Sequence, residues 1–486
     1  MRNILKILLG FVALLVVIVV ARTMLHQPTT EAAVQPIDVA VDEALIAAHL
    51  SQAIQMPTVS FETASEGNVQ VFRAFIDWVK ATYPEVNQVM TLEQLEYTLL
   101  YKWQGSDPTL QPILLTGHYD VVPVIPGTED LWLHPPFGGE VHDGVIWGRG
   151  ALDDKSAVVA MLEAATWLIQ QDFAPERTVY FSFGHDEERG GGAGAAAVTE
   201  YLAQAKVQLA WSLDEGSFLF DKMLPGVERL MAAINVAEKG SVTLAVVAKG
   251  VGGHSSMPPQ HTAVGILAEA ITKLENQPVP GGLEGLSLDM FDVISRDMPF
   301  VARMMFANRW LFGNILEEQL AKQTFTNAML RTTTAPTMLS ASIKANVLPI
   351  EATAIVNFRV HPRDSVQGVV DYVTGLVGNE NVSVSVSGGG GRGASAVSDK
   401  DSAGFKLIGQ AVQEVYGDVL IVPGLMIAAS DSVHYSQVAD NSFRFNPMVV
   451  TSSDLTGFHG TNEKISVANL VQGTRTYVQV LRHGAH

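Results

Sequence analysis

The chain is 486 residues long, more than one ordinary hydrophobic core accommodates, so its length predicts two domains. Its formal net charge of −19 argues against a nucleic-acid partner, because phosphate binding requires clustered Lys and Arg. The chain has no cysteine, which excludes disulfides, thiolate metal sites and a cysteine nucleophile. Any transition metal must therefore be held by His, Asp and Glu.

Residues 1–25 are typical of a membrane anchor or signal segment. Residues 7–21 are unbroken apolar sequence, preceded by Arg2 and Lys6 and followed closely only by Arg22. The positive-inside rule then places the amino terminus in the cytoplasm and the rest of the chain outside it, in a periplasmic, lumenal or extracellular compartment. A cleaved signal peptide, which would make the protein secreted, is the competing interpretation, and the length of the apolar run favours an uncleaved anchor. Residues 26–37 are predicted to be a linker.

Residues 38–238 alternate strand-like and helix-like segments. YTLLYKW, PILLTGHYDVV, TVYFSFGHDEE and VQLAWSLDEG are predicted strands, and ALDDKSAVVAMLEAATWLIQ and AAAVTEYLAQAK are predicted helices. This alternation predicts an α/β catalytic domain with a mixed, largely parallel sheet and helices on both faces. Residues 392–486 return to mixed α/β sequence and are predicted to complete this domain. Polar site residues should then gather at the carboxyl ends of the strands.

Residues 239–391 have a different character and are predicted to form an inserted α+β domain. SVTLAVVAKG and ATAIVNFRVHP are alternating strands, and the glycine run 388–391 is interpreted as a hinge at the domain boundary. Between those strands, residues 286–320 are rich in Met, Phe, Trp and Leu. That segment is interpreted as a pair of amphipathic core or dimer helices, and alternatively as an apolar channel for a long acyl chain.

Five acidic or histidine clusters lie at predicted strand ends or in glycine-rich loops. Each alone is compatible with a solvated turn, but together they supply two histidines and several carboxylates without thiolates, a ligand set that suits Zn²⁺ or other borderline divalent ions. The surplus of carboxylates suggests two metals that share one bridging Asp, with a spare Glu as base. The clusters are His118 with Asp120, Asp153 with Asp154, Asp186 to Glu188, Asp214 with Glu215, and His459.

Six ordered motifs carry a resemblance that covers nearly everything from about residue 45 to the carboxyl terminus. GHYDVVP, GRGALDDKSA, GHDEERGG, LDEGS, GVGGHSSMPP and FHGTNEKI resemble metallopeptidase family M20, and within it the carboxypeptidase S and N-fatty-acyl-amino acid synthase/hydrolase branch. The resemblance implies two Zn²⁺ ions, which Co²⁺ or Mn²⁺ could replace. It also implies that the inserted domain serves as a lid or dimerisation domain of a homodimer, and that the Asp153–Asp154 peptide bond is cis.

The resemblance also implies roles for individual residues. Glu187 would be the general base and Asp120 would orient His118. In the inserted domain, His254 would donate to the oxyanion, often across a dimer interface, and Asn346 and Arg359 would bind the substrate carboxylate. The metal ligands would be His118 and Asp214 for one ion, Glu188 and His459 for the other, and Asp153 as the bridge.

The sequence therefore predicts a di-zinc amidohydrolase that cleaves N-acyl or N-fatty-acyl amino acids, or short peptides, next to a free carboxylate. The alternative within the same class is a dipeptidase or carboxypeptidase acting on short hydrophobic peptides. A catalytically dead binding protein on the same fold is the alternative from another class. The joint presence of the base and all metal ligands argues against that last reading.

Overall fold

The computed structural model describes residues 2–28, 34–61, 69–224 and 226–486; residues 29–33 of the predicted linker lie outside the described residues. The α-helices are α1 Arg2–Leu25, α2 Glu43–Ile54, α3 Val69–Thr82, α4 Pro84–Val89, α5 Lys155–Gln170, α6 Ala195–Gln204, α7 Ala263–Asn276, α8 Gly285–Asp297, α9 Phe300–Ala307, α10 Arg309–Ala321, α11 Thr324–Leu330, α12 Val366–Val377, α13 Ala403–Tyr416, α14 Ser432–Tyr435 and α15 Val467–Gly484.

The strands, in chain order, are β1 Thr91–Leu95, β2 Thr98–Trp103, β3 Ile113–His118, β4 Val141–His142, β5 Val145–Trp147, β6 Val179–Gly184, β7 Trp211–Phe220, β8 Leu230–Glu238, β9 Gly240–Lys249, β10 Gly253–His254, β11 Thr333–Ser340, β12 Val347–Leu348, β13 Glu351–Val360, β14 Val382–Arg392, β15 Val419–Met426, β16 Ser442–Val450 and β17 Lys464–Ser466.

The chain divides into two compact units. The larger unit comprises residues 28–236 and 398–486, and the smaller unit comprises residues 1–27 and 237–397. Each unit has its own sheet and its own set of covering helices.

The larger unit is built on an eight-stranded sheet of order β1-β2-β6-β3-β7-β16-β8-β15. The pairs β3–β6, β3–β7 and β7–β16 at its centre are parallel, and the pairs β1–β2, β2–β6 and β16–β8 are antiparallel. Strands β3 and β6 are buried at every position, which is expected for parallel strands covered on both faces. The predicted mixed, largely parallel sheet is confirmed.

Helices cover both faces of this sheet, as the sequence predicts. On one face, Leu114 of β3 packs in an apolar cluster with Val198 and Leu202 of α6. On the other face, Gly117 of β3 faces the start of α5, where a Cβ atom would lie only 2.6 Å from Asp154 Oδ2. The missing side chain at Gly117 therefore allows α5 to begin directly against the end of β3.

The smaller unit is built on an antiparallel sheet of order β11-β13-β9-β14. Alternate residues of β9 and β13 are buried in one core with α7 and α12, so these helices cover one face of the sheet. The glycine run 388–391 is part of β14 and carries a register shift between Val386 and Gly391. The structure thus shows a bulged strand where the sequence suggested a break, because glycines accommodate an irregular strand without ending it.

Helices α8 to α11 lie between α7 and β11 in the chain and account for the Met- and aromatic-rich segment. The apolar amino-terminal segment forms the continuous helix α1, which belongs to this smaller unit. Among the described residues, α1 is the one helix long and apolar enough to cross a membrane, and nearly all of its apolar side chains are exposed.

Candidate metal centre

The carboxyl ends of three parallel strands bring the predicted site residues to one edge of the larger sheet. His118 is the last residue of β3 and pairs in register with Gly184, the last residue of β6. The acidic turn that contains Glu187 and Glu188 follows β6 directly. Strand β7, on the other side of β3, carries Asp214 and Glu215.

Asp120 fixes both His118 and the acidic turn. Its Oδ1 lies 3.3 Å from His118 Nδ1, and its two carboxylate oxygens accept hydrogen bonds from the backbone N–H groups of Glu187 and Glu188, each at 3.2 Å. Ser60 Oγ donates a further hydrogen bond to Asp120 Oδ2 at 2.7 Å. A carboxylate that holds the second ring nitrogen of a ligating histidine sets the orientation of the ring, which suits the role predicted for Asp120.

Asp153 lies between the two predicted metal-binding histidines. Its Oδ1 is 3.1 Å from His118 Nε2, and its Oδ2 is 3.1 Å from His459 Nε2. The peptide bond between Asp153 and Asp154 is cis, which confirms the prediction made from the motif. Asp154 accepts a 2.8 Å hydrogen bond from Asn446 Nδ2, and one of its oxygens also lies within 4.8 Å of ligand atoms of His118 and Glu215. Asp153 therefore directs one carboxylate oxygen toward His118 and the other toward His459, which is the arrangement expected of a bridging carboxylate.

A buried ion pair from the carboxyl-terminal motif holds the backbone at Asp153. Glu463 Oε1 accepts hydrogen bonds from the N–H groups of Leu152 and Asp153 at 2.8 and 3.1 Å, while Oε2 lies 2.8 Å from Arg149 Nη1. Glu463 is fully buried. Glu463 lies in the motif FHGTNEKI, but the sequence gives no sign of this role, because its partner Arg149 lies 314 residues away in the chain.

The remaining carboxylates lie close to the two histidines. Glu188 Oε2 is 3.4 Å from His459 Nε2, and Glu187 Oε2 is 3.9 Å from His118 Nε2. One ligand atom each of His118, Asp153 and Glu188 lies within 4.8 Å of the others. Glu187 therefore lies near the same centre but is hydrogen-bonded to neither histidine.

Glu215 approaches His118 where the resemblance had placed Asp214. Glu215 Oε1 is 3.4 Å from His118 Nε2, whereas the Asp214 carboxylate accepts a hydrogen bond from the Glu215 N–H. Asp214 also pairs in register with the buried Arg444 of β16. Successive residues of a strand point to opposite faces of the sheet, so only one of the two acids can reach the histidine. Glu215 is therefore the acid whose carboxylate lies at His118, while the ligand role of Asp214 stays a prediction, since Asp214 Oδ2 is buried without a hydrogen-bond partner among the described residues.

Burial and crowding of carboxylates shift the pKa values of the whole centre. Burial, and then the charge of Glu215, raise the pKa of Glu187 well above its usual range. Burial likewise raises the pKa of Glu215 to about 7. Burial alone would lower the pKa of His118, but Glu215 and its other carboxylate neighbours raise it well above 6.5. In the metal-free protein, the raised pKa values mean that bound protons neutralise part of the negative charge of these buried carboxylates.

The residues present fit divalent metal ions. The centre offers imidazole nitrogens and carboxylate oxygens, the donor set that suits Zn²⁺ and other borderline ions. Glu188 Oε1 is buried and has no hydrogen-bond partner among the described residues, which leaves a ligand atom free for a cation. A cation at this position would also neutralise the charge that otherwise holds protons on the carboxylates.

The substrate-binding candidates lie in the smaller unit. His254 and Asn346 are near each other, because β10 pairs with β12 and Ser255 N–H donates to the Asn346 carbonyl at 3.1 Å. The His254 ring is exposed, with Nδ1 2.8 Å from Ser256 Oγ. Arg359 is exposed on β13, eight residues beyond Glu351 at the start of that strand. At about 3.4 Å per residue, Arg359 therefore lies roughly 27 Å along the sheet from that end of β13.

Comparisons with known proteins identify a peptidase family. The model of peptidase family M20/M25/M40 matches residues 114–483. The chain is 38% identical over 443 residues to the probable carboxypeptidase S-like 2 of Dictyostelium discoideum, covering 90% of this chain and 85% of that protein. It is 36% identical over 460 residues to the N-fatty-acyl-amino acid synthase/hydrolase PM20D1 of Mus musculus, covering 92% and 90%.

Solved structures show the same fold. An M20 family metallo-carboxypeptidase from Sulfolobus solfataricus, Sso-CP2, superimposes with a TM-score of 0.63 at 17% identity, covering 90% of this chain and 99% of that one. Human carnosine dipeptidase 1 superimposes with a TM-score of 0.61 at 17% identity, covering 91% and 96%. The chain belongs to peptidase family M20/M25/M40 and is a metal-dependent hydrolase of that family.

Proposed function

We propose that the protein is a di-zinc amidohydrolase that cleaves the amide bond of N-acyl amino acids, including N-fatty-acyl amino acids, next to a free carboxylate. The observation that carries the proposal is the placement of Asp153, with one carboxylate oxygen 3.1 Å from His118 and the other 3.1 Å from His459. Identity of 36% to a protein named N-fatty-acyl-amino acid synthase/hydrolase supports the substrate class.

Zinc ions would supply Lewis acidity that activates water and polarises the scissile carbonyl. One ion would be held by His118, Asp153 and Glu215. The other would be held by Asp153, Glu188 and His459. Glu187 accepts a proton from the attacking water and passes it to the nitrogen that leaves as the C–N bond breaks. Glu187 Oε2 lies 3.9 Å from His118 Nε2, outside hydrogen-bond distance, which suits a base that stays off the metal but close to the water. Asp120 holds His118 and the turn that carries Glu187 in one rigid arrangement.

Arg359 binds the free carboxylate of the substrate in this proposal, because a planar guanidinium can bind a carboxylate through two parallel hydrogen bonds. Arg359 lies in a group of cations: burial, and then the charge of Arg359, lower the pKa of Lys239 to about 7, although the charge of Asp364 opposes them. An anionic ligand would relieve the repulsion among these cations. His254 donates to the carbonyl oxygen, and its exposed position suits donation across a homodimer interface formed by the smaller unit, with Asn346 beside it.

The proposal includes membrane anchoring by α1, with the rest of the chain outside the cytoplasm. The 24-residue helix is long enough to span a bilayer, and its basic residues are concentrated at its amino-terminal end. Retention of α1 in the mature protein, which mass spectrometry of the purified native protein would show, separates an anchor from a cleaved signal peptide.

The test is a hydrolysis screen of the zinc-loaded protein with mass-spectrometric detection of the released amino acid. Acetyl, octanoyl and oleoyl derivatives of one amino acid are compared with a hydrophobic dipeptide and with the same N-acyl amino acid amidated at its carboxyl group. We expect the oleoyl derivative to have the highest kcat/KM and the amidated compound to be cleaved poorly.

Arg359→Leu provides the matched control for carboxylate recognition. The variant should lose most activity toward the free acid and little toward the amidated compound. Absence of cleavage of every N-acyl amino acid would refute the proposed function, and a preference for the dipeptide would favour the peptidase alternative.

A further inference from the structure

Helix α1 packs through its carboxyl-terminal part against the junction between α9 and α10. Asn308 Nδ2, at that junction, donates to the Val19 carbonyl at 3.1 Å and lies 3.3 Å from Thr23 Oγ1. Arg22 Nε donates to the Ala307 carbonyl at 3.1 Å. Val19 and Thr23 are buried by this contact, while almost every other side chain of α1 is exposed. The α9–α10 junction is therefore fixed to one end of the apolar helix.

This contact sets the depth of the junction along α1. Val19 lies within the apolar run, six residues before Leu25 at the end of the helix. At about 1.5 Å per residue, it lies roughly 9 Å inside that end. If α1 spans a bilayer, Asn308, which is hydrogen-bonded to Val19, must lie at the level of the outer acyl chains and head groups. Asn308 Nδ2 also donates to the Met304 carbonyl at 2.9 Å, so its amide N–H groups have acceptors at that depth.

The two helices that meet at this junction, α9 and α10, carry five large apolar side chains that are exposed to solvent. They are 43–66% exposed, although large exposed apolar patches are unusual in soluble proteins and mark interaction sites. Leu311 and Ile315 are one turn apart on α10 and share a face. The set, which we name the α9–α10 patch, consists of Phe300, Val301, Trp310, Leu311 and Ile315.

Polar and basic groups surround the end of α1 next to the patch. Arg296 Nη1 donates to the Gln27 carbonyl at 3.2 Å, and Arg303 Nη1 donates to Gln27 Oε1 at 3.1 Å. His26 Nε2 lies 2.9 Å from Ser295 Oγ. Cations and a tryptophan at the edge of an apolar surface are the groups that favour the head-group region of a membrane.

We propose that the α9–α10 patch is a second membrane-binding surface, which inserts into the outer interface of the bilayer beside α1. The smaller unit would then lie on the membrane as well as being tethered to it. This inference rests on the membrane anchoring included in the proposed function, and its consequence is that lipid-soluble N-acyl substrates are met at the bilayer surface. A second copy of the chain is the competing occupant of the patch.

Because the chain has no cysteine, a single cysteine can be introduced at a chosen position and labelled specifically. Full-length protein carrying Val301→Cys or Trp310→Cys is labelled with an environment-sensitive fluorophore and reconstituted in phosphatidylcholine–phosphatidylglycerol vesicles. Val264→Cys on α7 is the matched control, because Val264 is an equally apolar and comparably exposed residue of the same unit. Leu14→Cys reports on α1 itself. Quenching by nitroxide-labelled lipids and by aqueous iodide is measured for each label.

We expect labels at Val301 and Trp310 to be quenched several-fold more by lipid nitroxide than the label at Val264, with blue-shifted emission. Quenching at Leu14 without quenching at Val301 and Trp310 would overturn the patch and leave the anchor intact. A lack of quenching at all positions would overturn the anchoring together with the patch. Protection from iodide without lipid quenching would indicate a second copy and would also overturn the proposal. None of these readings depends on enzymatic activity, so hydrolysis can fail or succeed independently.

Discussion

The replacement of Glu215 by Gln should separate the roles of two adjacent acids. Glu215 Oε1 lies 3.4 Å from His118 Nε2, whereas the Asp214 carboxylate accepts the N–H of Glu215 and pairs in register with Arg444. Glu215→Gln should therefore lower the metal content from two ions per chain to one and abolish most turnover. If Glu215 is the ligand, Asp214→Asn should retain both ions; loss of an ion would instead support the ligand role that the resemblance implies for Asp214.

The expected change in the free energy of unfolding follows from the carboxylate charge that each substitution removes. Burial raises the pKa of Glu215 from 4.5 to about 7 in the metal-free protein, so its ionisation above that pH costs at most about 3 kcal/mol of folding free energy. The penalty is absent below pH 4.5, where the carboxyl is protonated in both folded and unfolded chains. The metal-free Glu215→Gln protein should consequently be more stable than the parent above pH 7 and no more stable below pH 4.5. Burial raises the pKa of Asp214 to about 6 against the opposing effects of the Glu215 N–H and Arg444, so the metal-free Asp214→Asn protein should also be more stable than the parent above pH 6, by at most about 3 kcal/mol.

The assay combines metal analysis with urea unfolding of chelator-treated protein at the two pH values. Each variant is dialysed against a small excess of zinc before its metal content is measured. If Asp214→Asn loses an ion while Glu215→Gln keeps both, the placement of the two side chains on opposite faces of β7 is wrong.

Three further predictions follow from the contacts of the centre. Glu187→Gln should keep its metal content and lower kcat by roughly 10²–10⁴-fold, and unchanged kcat would refute the assigned base. Asp120→Asn should weaken metal affinity by about 10–100-fold in a chelator competition, since the His118 ring loses its carboxylate partner; equal affinity would show that the pair is not used. Glu463→Gln should lower the free energy of unfolding by about 3–5 kcal/mol by leaving Arg149 buried and uncompensated, and a neutral effect in urea unfolding would contradict that reading.

Much of the larger sheet could be predicted because local patterns agree with the tertiary structure there. Strand β3 is a continuous apolar run that ends in His118, and α5 begins directly after Asp154, so the motif order already predicts where the polar residues meet. The cis peptide bond before Asp154 was predicted from the motif that contains it and is present.

The alternation pattern alone does not show whether Asp214 or Glu215 faces His118. Alternation identifies the buried face of a strand only when the other face is polar, and in β7 the flanking residues Ser212, Leu213 and Ser217 are all buried. The contact between α1 and Asn308 was likewise invisible, because no local pattern links residues 289 positions apart.

The two oxygens of Asp153 meet partners from opposite ends of the larger unit's sequence. His118 and Asp153 are synthesised early, whereas His459 and Glu463, which hold Asp153 from the other side, lie close to the carboxyl terminus. Helix α15, which packs on α5, is made later still. The ribosome must therefore have translated and released the segment that contains His459 and Glu463 before the centre can assemble. Nascent chains that end before His459 should be unable to retain metal, so activity can begin only after this late segment has been made.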